Sequence, residues 1–226
     1  MTLEVSSAVQ DYAKAIYSLE QRCEKGAAVS TNALAERLGV SAASASSMVK
    51  KLDGLGLVQH VPYRGVVLTE RGMSVALEVL RHHRLLERYL AEELGVPWDR
   101  VHDEAEVLEH VLSEELEELI AAKLGHPTID PHGDPIPDAE LRIVEVDTVG
   151  MDSLQTGETG RFVRVSDSDP EMLRYLGARG ITPGDRFEVV DKQPFGGPVF
   201  ARFGDGEDVH PLGGQLAAAM RVEVSR

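Results

Sequence analysis

Apolar residues recur at helical spacing from Ser7 to about Lys25, at Val9, Tyr12, Ala13, Ile16, Tyr17 and Leu19, which predicts a first amphipathic helix. A second, short helix is expected from Thr31 or Asn32 as its cap to Gly39, a residue suited to a left-handed stop. Ser41 is placed to cap a third helix whose inward positions are Ala45, Met48, Val49 and Leu52, and Gly54-Leu-Gly breaks it. Leu57-Val-Gln-His-Val and Gly65-Val-Val-Leu-Thr then flank Pro62-Tyr-Arg-Gly, the pattern of a β-hairpin. Three helices followed by a hairpin predict a winged helix-turn-helix over residues 1–73.

From Glu70 to about Leu124 the pattern is helical nearly throughout, interrupted at Gly95-Val-Pro-Trp. Leu80, Leu85, Leu86, Tyr89, Leu90, Val107, Leu108, Val111, Leu112, Leu116, Leu119 and Ile120 make this stretch rich in apolar positions. Two or three helices alone leave much of that surface wet, and a partner chain is the expected cover. Four prolines between His126 and Pro137 end the helices and begin a linker. From about Gly150 the pattern becomes short strands between turns, at Gly157-Glu-Thr-Gly, Thr182-Pro-Gly-Asp, Phe195-Gly-Gly-Pro and Gly204-Asp-Gly, which predicts a small β-barrel. The expected organisation is multi-domain α+β: a winged head at 1–73, an all-α domain at 74–139, a linker at 140–149 and a barrel at 150–226.

Composition narrows the classes. With 42% hydrophobic and 27% charged residues the 226-residue chain is ordinary globular protein. No apolar run is long enough to span a bilayer, and the N-terminus lacks the pattern of a signal peptide. A lone Cys23 forms no intramolecular disulfide and reads as a small packing residue, so a reducing cytoplasm is the expected location. The net charge of −15 argues against nucleic acid until it is divided: residues 1–73 carry a net of +1 and the other 153 carry −16. A near-neutral head on a strongly acidic body implies two different tasks.

The acidic body holds the candidate chemistry. On a helix His102, Glu106, Glu109 and His110 are spaced three and four apart and project from one face, a half-site of hard oxygen and borderline nitrogen donors. His83 and Glu87, again four apart, sit on the preceding helix. The competing reading is a solvated acidic face, which suits Glu114, Glu115, Glu117 and Glu118. His82 points about 100° from His83 and reads as a surface residue. His126 and His132 read as capping or packing residues of the linker, and His60 and His210 as surface or turn residues. In the head, Ser41, Ser44, Ser46, Ser47, Lys50 and Lys51 form the polar face of the third helix. Ala42 and Ala43 allow close approach to a groove, and Arg64 at the hairpin tip, assisted by Tyr63 or His60, is the natural wing contact.

These residues resemble the diphtheria toxin repressor (iron-dependent regulator) family over nearly the whole chain. The resemblance is most specific at Asp11-Tyr12, Arg81-His-His-Arg-Leu-Leu-Glu87, Val101-His-Asp-Glu-Ala-Glu-Val-Leu-Glu-His110 and Asp130-Pro-His-Gly-Asp-Pro-Ile-Pro137. It implies a winged DNA-binding domain, a helical metal-binding and dimerisation domain, and an SH3-like (FeoA-like) barrel. It further implies a regulatory metal site at Asp11, Glu106, Glu109 and His110, with His83 close by, and an ancillary site at His83, Glu87 and His102. Barrel acids complete the ancillary site, Asp167 and Asp169 being the candidates. Iron-type members carry methionine and cysteine where this chain has Asp11 and Glu106, so hard carboxylates favour Mn(II). Fe(II) is the alternative, and Co(II), Ni(II), Zn(II) and Cd(II) are expected in-vitro substitutes. Some short members of the manganese branch add a carboxylate where this chain has Lys14, so a two-ion regulatory cluster is not expected here.

The function implied is a metal-dependent repressor that binds a palindromic double-stranded operator as a homodimer and controls metal-uptake genes. A cation clasped between Asp11 in the head and Glu106, Glu109 and His110 in the body is the expected switch. Two other classes compete. A metalloenzyme would use the same His/Glu cluster, but no His-Glu-x-x-His, nucleophile elbow or phosphate loop is present. A winged-helix regulator answering a small organic ligand would leave the acidic helix without a metal. No membrane and no small organic substrate are expected.

Overall fold

The structure is a computed structural model that describes residues 5–21 and 27–225. Cys23 and the expected last turn of the first helix lie outside the described residues. The head contains α1 (Ser7–Glu20), α2 (Thr31–Arg37), α3 (Ala42–Gly54), β1 (Val58–Val61) and β2 (Gly65–Leu68). Ser30 caps α2 by accepting from Ala33 N, slightly earlier in the chain than the sequence suggested. Gly39 stops α2 at φ 63° and Ser41 caps α3 by accepting from Ser44 N, as the pattern required. Strands β1 and β2 pair antiparallel with Val58 opposite Leu68, and Val29 adds a bridge to Val66. Gly65 is needed there: a Cβ would lie 2.0 Å from Val29 O.

The continuous helical stretch is broken twice, into α4 (Glu70–Glu92), α5 (Val101–Leu108) and α6 (Glu114–Lys123). Strands β3 (Val149–Gly150), β4 (Thr159–Val165), β5 (Arg186–Lys192), β6 (Val199–Phe203), β7 (Val209–Leu212) and β8 (Met220–Val224) follow, with α7 (Pro170–Gly177) and α8 (Gly214–Ala219). They form one antiparallel sheet ordered β3-β8-β4-β5-β6-β7, bent by irregularities at Phe162/Arg164 and Val189/Asp191.

The chain folds as two compact units. One comprises Met1–His82, Glu109–Leu112 and Pro137–Arg142; the other comprises His83–Leu108, Ser113–Ile136 and Ile143–Arg226. In the first, Val9, Ala13 and Ile16 of α1 share a buried core with Leu34 of α2 and Ala45, Val49 and Leu52 of α3. Displacing α1 therefore displaces α3. In the second, Phe162, Leu173, Leu176, Val189, Leu212 and Val222 centre the core of the sheet. Val107, Leu116 and Leu119 of the second unit are exposed at 72%, 49% and 61%, and Val111 of the first at 77%, apolar positions for which the sequence called for a partner.

The proline-rich segment is no open linker. Asp130, His132 and Ile136 are buried, and Ile129 bridges Pro135. Asp130 Oδ1 accepts from the backbone N–H groups of His132 and Asp134, closing the loop on itself.

Candidate metal centre and nucleic-acid interface

The first compact unit brings Asp11, Glu109 and His110 together. Asp11 Oδ1 lies 2.8 Å from His110 Nε2, and Glu109 Oε1 lies 3.6 Å from the same nitrogen. Because α5 ends at Leu108, Glu109 and His110 sit in the turn after it, so the expected four-residue helical face is not formed. Glu106 belongs to the other compact unit, where its half-exposed carboxylate lies 3.8 Å from His102 Nε2.

Three neighbours of this set escaped sequence reasoning. Gln10 Oε1 faces His110 Nδ1 at 2.7 Å. Lys14, one turn along α1 from Asp11, donates to Glu109 Oε1 at 2.6 Å and Oε2 at 2.9 Å. His82, expected at the surface, is buried, and its Nδ1–H donates to the Glu109 carbonyl at 3.1 Å, capping the end of α5. The signal for Lys14 was its i+3 spacing from Asp11; for His82 it was the lack of any apolar residue for that helical position.

The second unit gathers His83, Glu87, His102 and Asp167. Glu87 Oε1 lies 3.1 Å from His83 Nε2 and 3.4 Å from His102 Nδ1, and Asp167 Oδ2 lies 3.0 Å from His102 Nδ1. Asp169 does not enter this cluster: its side chain caps α7 by accepting from Glu171 N. Burial by itself would raise the Glu87 carboxyl, but hydrogen bonds from His102 and His83 hold it far below the usual carboxylate range. Hydrogen bonds to Asp167 and Glu87 push His102 up to about 10.

Asp130 and His132 stand on the other side of Glu87, a third potential donor set formed with it. His132 Nε2–H donates to Trp98 O at 2.7 Å, which leaves Nδ1 as the ring's other nitrogen. That nitrogen is buried, lacks a hydrogen-bond partner among the described residues, and lies 3.8 Å from Glu87 Oε1. Burial, reinforced by the charges of Glu87 and Asp134, raises the Asp130 carboxyl well above its ordinary value against the pull of Arg84. An orphaned imidazole nitrogen among crowded carboxylates is a donor set that a divalent cation satisfies. His132 is buried and stacked on Trp98, in keeping with its reading as a capping or packing residue; that it also adjoins Glu87 was not brought out by the sequence reading. The signal was two aspartates and a histidine within five residues of a turn-forming segment.

On the head, Ala43, Ser44, Ser46, Ser47, Lys50 and Lys51 are exposed on α3. A shallow groove there is lined by Ala43, Ser44, Ser47, Met48 and Lys51. The Ser41 hydroxyl is also exposed but is engaged by Ser44, with 2.9 Å between the two oxygens. Arg64 stands in the hairpin turn beside the fully exposed Tyr63, which has φ 61°.

Residues 4–66 match the family described as iron dependent repressor, N-terminal DNA binding domain. Residues 69–138 match its metal binding and dimerisation domain, and residues 149–224 match the FeoA domain. The iron-dependent repressor IdeR of Mycobacterium tuberculosis (strain ATCC 25618 / H37Rv) is 31% identical over 232 residues, covering 97% of this chain and 98% of that protein. The diphtheria toxin repressor of Corynebacterium glutamicum is 33% identical over 222 residues, 94% of each. Among solved structures, a manganese-dependent transcriptional repressor in complex with manganese superposes with a TM-score of 0.86 at 43% identity, covering 95% of this chain and 98% of that one.

Proposed function

This chain belongs to the diphtheria toxin (iron-dependent) repressor family of metal-responsive DNA-binding transcriptional regulators, and on that premise we propose that Mn(II) is the ion it answers to. Supporting this are the hard carboxylate donors Asp11 and Glu106, which favour Mn(II), and the likeness to a repressor solved with manganese. Fe(II) is the second reading, favoured by the identity to iron-dependent repressors.

The regulatory ion is assigned to Asp11, Glu109 and His110, with Glu106 added from the family pattern. The ancillary ion is assigned to His83, Glu87, His102 and Asp167, with Asp130 and His132 as further donors. A divalent ion supplies positive charge that lets the carboxylates of each set converge without mutual repulsion. Asp11 fixes one face of α1 to the turn holding Glu109 and His110. Through the shared core, α1 fixes α3 and its exposed Ser44, Ser46, Ser47, Lys50 and Lys51. Two such heads in a twofold dimer would present their helices to a palindromic operator about 34 Å apart, one turn of B-DNA. Its DNA partner puts its site of action in the cytoplasm.

The observation carrying this reading is the meeting of Asp11 with His110 at 2.8 Å, 99 positions apart in sequence. The test is a gel shift on the gene's own promoter with Mn(II), Fe(II) or chelator, for wild type and Asp11→Ala. Wild type is expected to shift DNA with Mn(II) and release it with chelator. Asp11→Ala binding as strongly as wild type with Mn(II) would refute the switch.

A further inference from the structure

The regulatory set contains a cation of its own. Lys14 Nζ sits 2.6 and 2.9 Å from the two oxygens of Glu109, whose side chain is 1% exposed, while that of Lys14 is 14% exposed. Asp11 and Lys14 lie on the same face of α1, so one helix supplies both a candidate ligand and a competing charge. Resting on the regulatory-site reading above, we infer that Lys14 is an exchangeable internal counter-ion: a divalent ion fills the site only by displacing the Lys14 ammonium from Glu109, and Lys14 thereby sets the free-ion concentration at which the site loads.

The physical argument has three parts. A carboxylate shut away from water needs a compensating charge, and the ammonium supplies it to both oxygens at once. A divalent ion coordinated by Glu109 takes lone pairs from those same oxygens, and two cations at that separation repel. The lysine stem is flexible, so the ammonium can leave for solvent while its methylenes stay packed. Loading is then an exchange of one cation for another. The protein resists low ion levels, because the site is never an unneutralised pocket of acids. A lysine also differs from a resident metal in being tethered: it returns to Glu109 whenever the ion leaves.

The test is a titration of the full chain with Mn(II) alone, the free ion being read by electron paramagnetic resonance. Lys14→Met is expected to bind the regulatory ion at least tenfold more tightly than wild type, and Lys14→Arg to stay within about threefold of it. An affinity in Lys14→Met equal to or weaker than wild type overturns the inference. A measurement on the wild-type chain avoids any folding defect of the variants. Acetylation of Lys14, followed by mass spectrometry against the exposed Lys50 and Lys51, is expected to run at least threefold faster with Mn(II) than with chelator; an unchanged rate overturns the inference. Asp11→Asn separates the two levels of the argument. If it still binds as many ions as wild type, the regulatory-site reading fails and takes the lysine with it. If it loses one ion while Lys14→Met behaves as wild type, the lysine inference alone fails.

Discussion

Gly133 offers a direct test of how the loop holding Asp130 and His132 supports the ancillary set. Its φ is +91°, and a Cβ built on it would lie 2.0 Å from Val163 O and 2.9 Å from Arg164 Cα. Ordinary contact begins near 3.4 Å, and both obstacles are backbone. Gly133→Ala must therefore move the loop away from β4. Forcing an L-residue into left-handed backbone costs about 1–2 kcal/mol, and relieving the overlap costs about 1–3 kcal/mol more. Neighbouring bonds tie the loop to its surroundings: Val165 N–H donates to His132 O at 3.0 Å, and His132 Nε2–H donates to Trp98 O at 2.7 Å. A loop shifted by the overlap carries His132 Nδ1 away from Glu87. For a chain of this size a loss of about 2–5 kcal/mol lowers the melting temperature by roughly 4–20 °C. Thermal denaturation followed by circular dichroism in chelator reads that drop, and equilibrium dialysis against Mn(II) reads bound ions per chain. The variant should melt early and lose the ancillary ion while keeping the regulatory one. A melt within a degree of wild type, with every ion retained, would show that the loop does not support the site.

His102, held in chelator, should titrate near 10 rather than near its ordinary value of about 6.5. The sign follows from that raised value: the protonated ring stabilises the fold fully below about pH 6.5, and the contribution disappears as pH rises through about 10. Imidazole proton resonances check it, and a His102 midpoint near 6.5 would contradict the pairing with Asp167 and Glu87. His82→Ala should cost about 1–3 kcal/mol in urea denaturation by leaving the buried Glu109 carbonyl without its donor; unaltered stability would deny the cap. Lys51→Ala should weaken DNA binding similarly across sequences and lower the slope of log affinity against log salt by about one; an undiminished slope would remove Lys51 from the phosphate contacts.

The head was legible in the sequence because its signals are local: helical periodicity, Ser41 before α3, Gly39 after α2, and a hairpin bounded by turn residues. Local spacing also singled out His83, Glu87 and His102, and the family resemblance suggested Asp167 together with Asp169, which instead caps α7. What failed were inferences that depended on where helices stop. Periodicity runs through Glu109 and His110, yet α5 ends at Leu108, so this Glu–His pair points differently from a continuous helix. His82 looked like a surface residue because spacing from His83 gives its direction but not what occupies that direction, here the Glu109 carbonyl. His132 was read as a capping or packing residue, in keeping with its burial, but its approach to Glu87 is a contact between distant segments that proline density does not signal. Lys14 was read as a missing carboxylate; that it occupies Glu109 is a contact across 95 positions, beyond any local pattern.

One further consequence comes from Trp98, the only tryptophan in the chain. Its ring stacks on His132 with centroids 5.9 Å apart and planes 23° apart, and its own carbonyl receives that histidine's proton. All indole emission from this protein therefore originates beside the ancillary donors. A paramagnetic ion arriving there would dim that emission without any added label. Intrinsic fluorescence can thus follow the filling of the ancillary site.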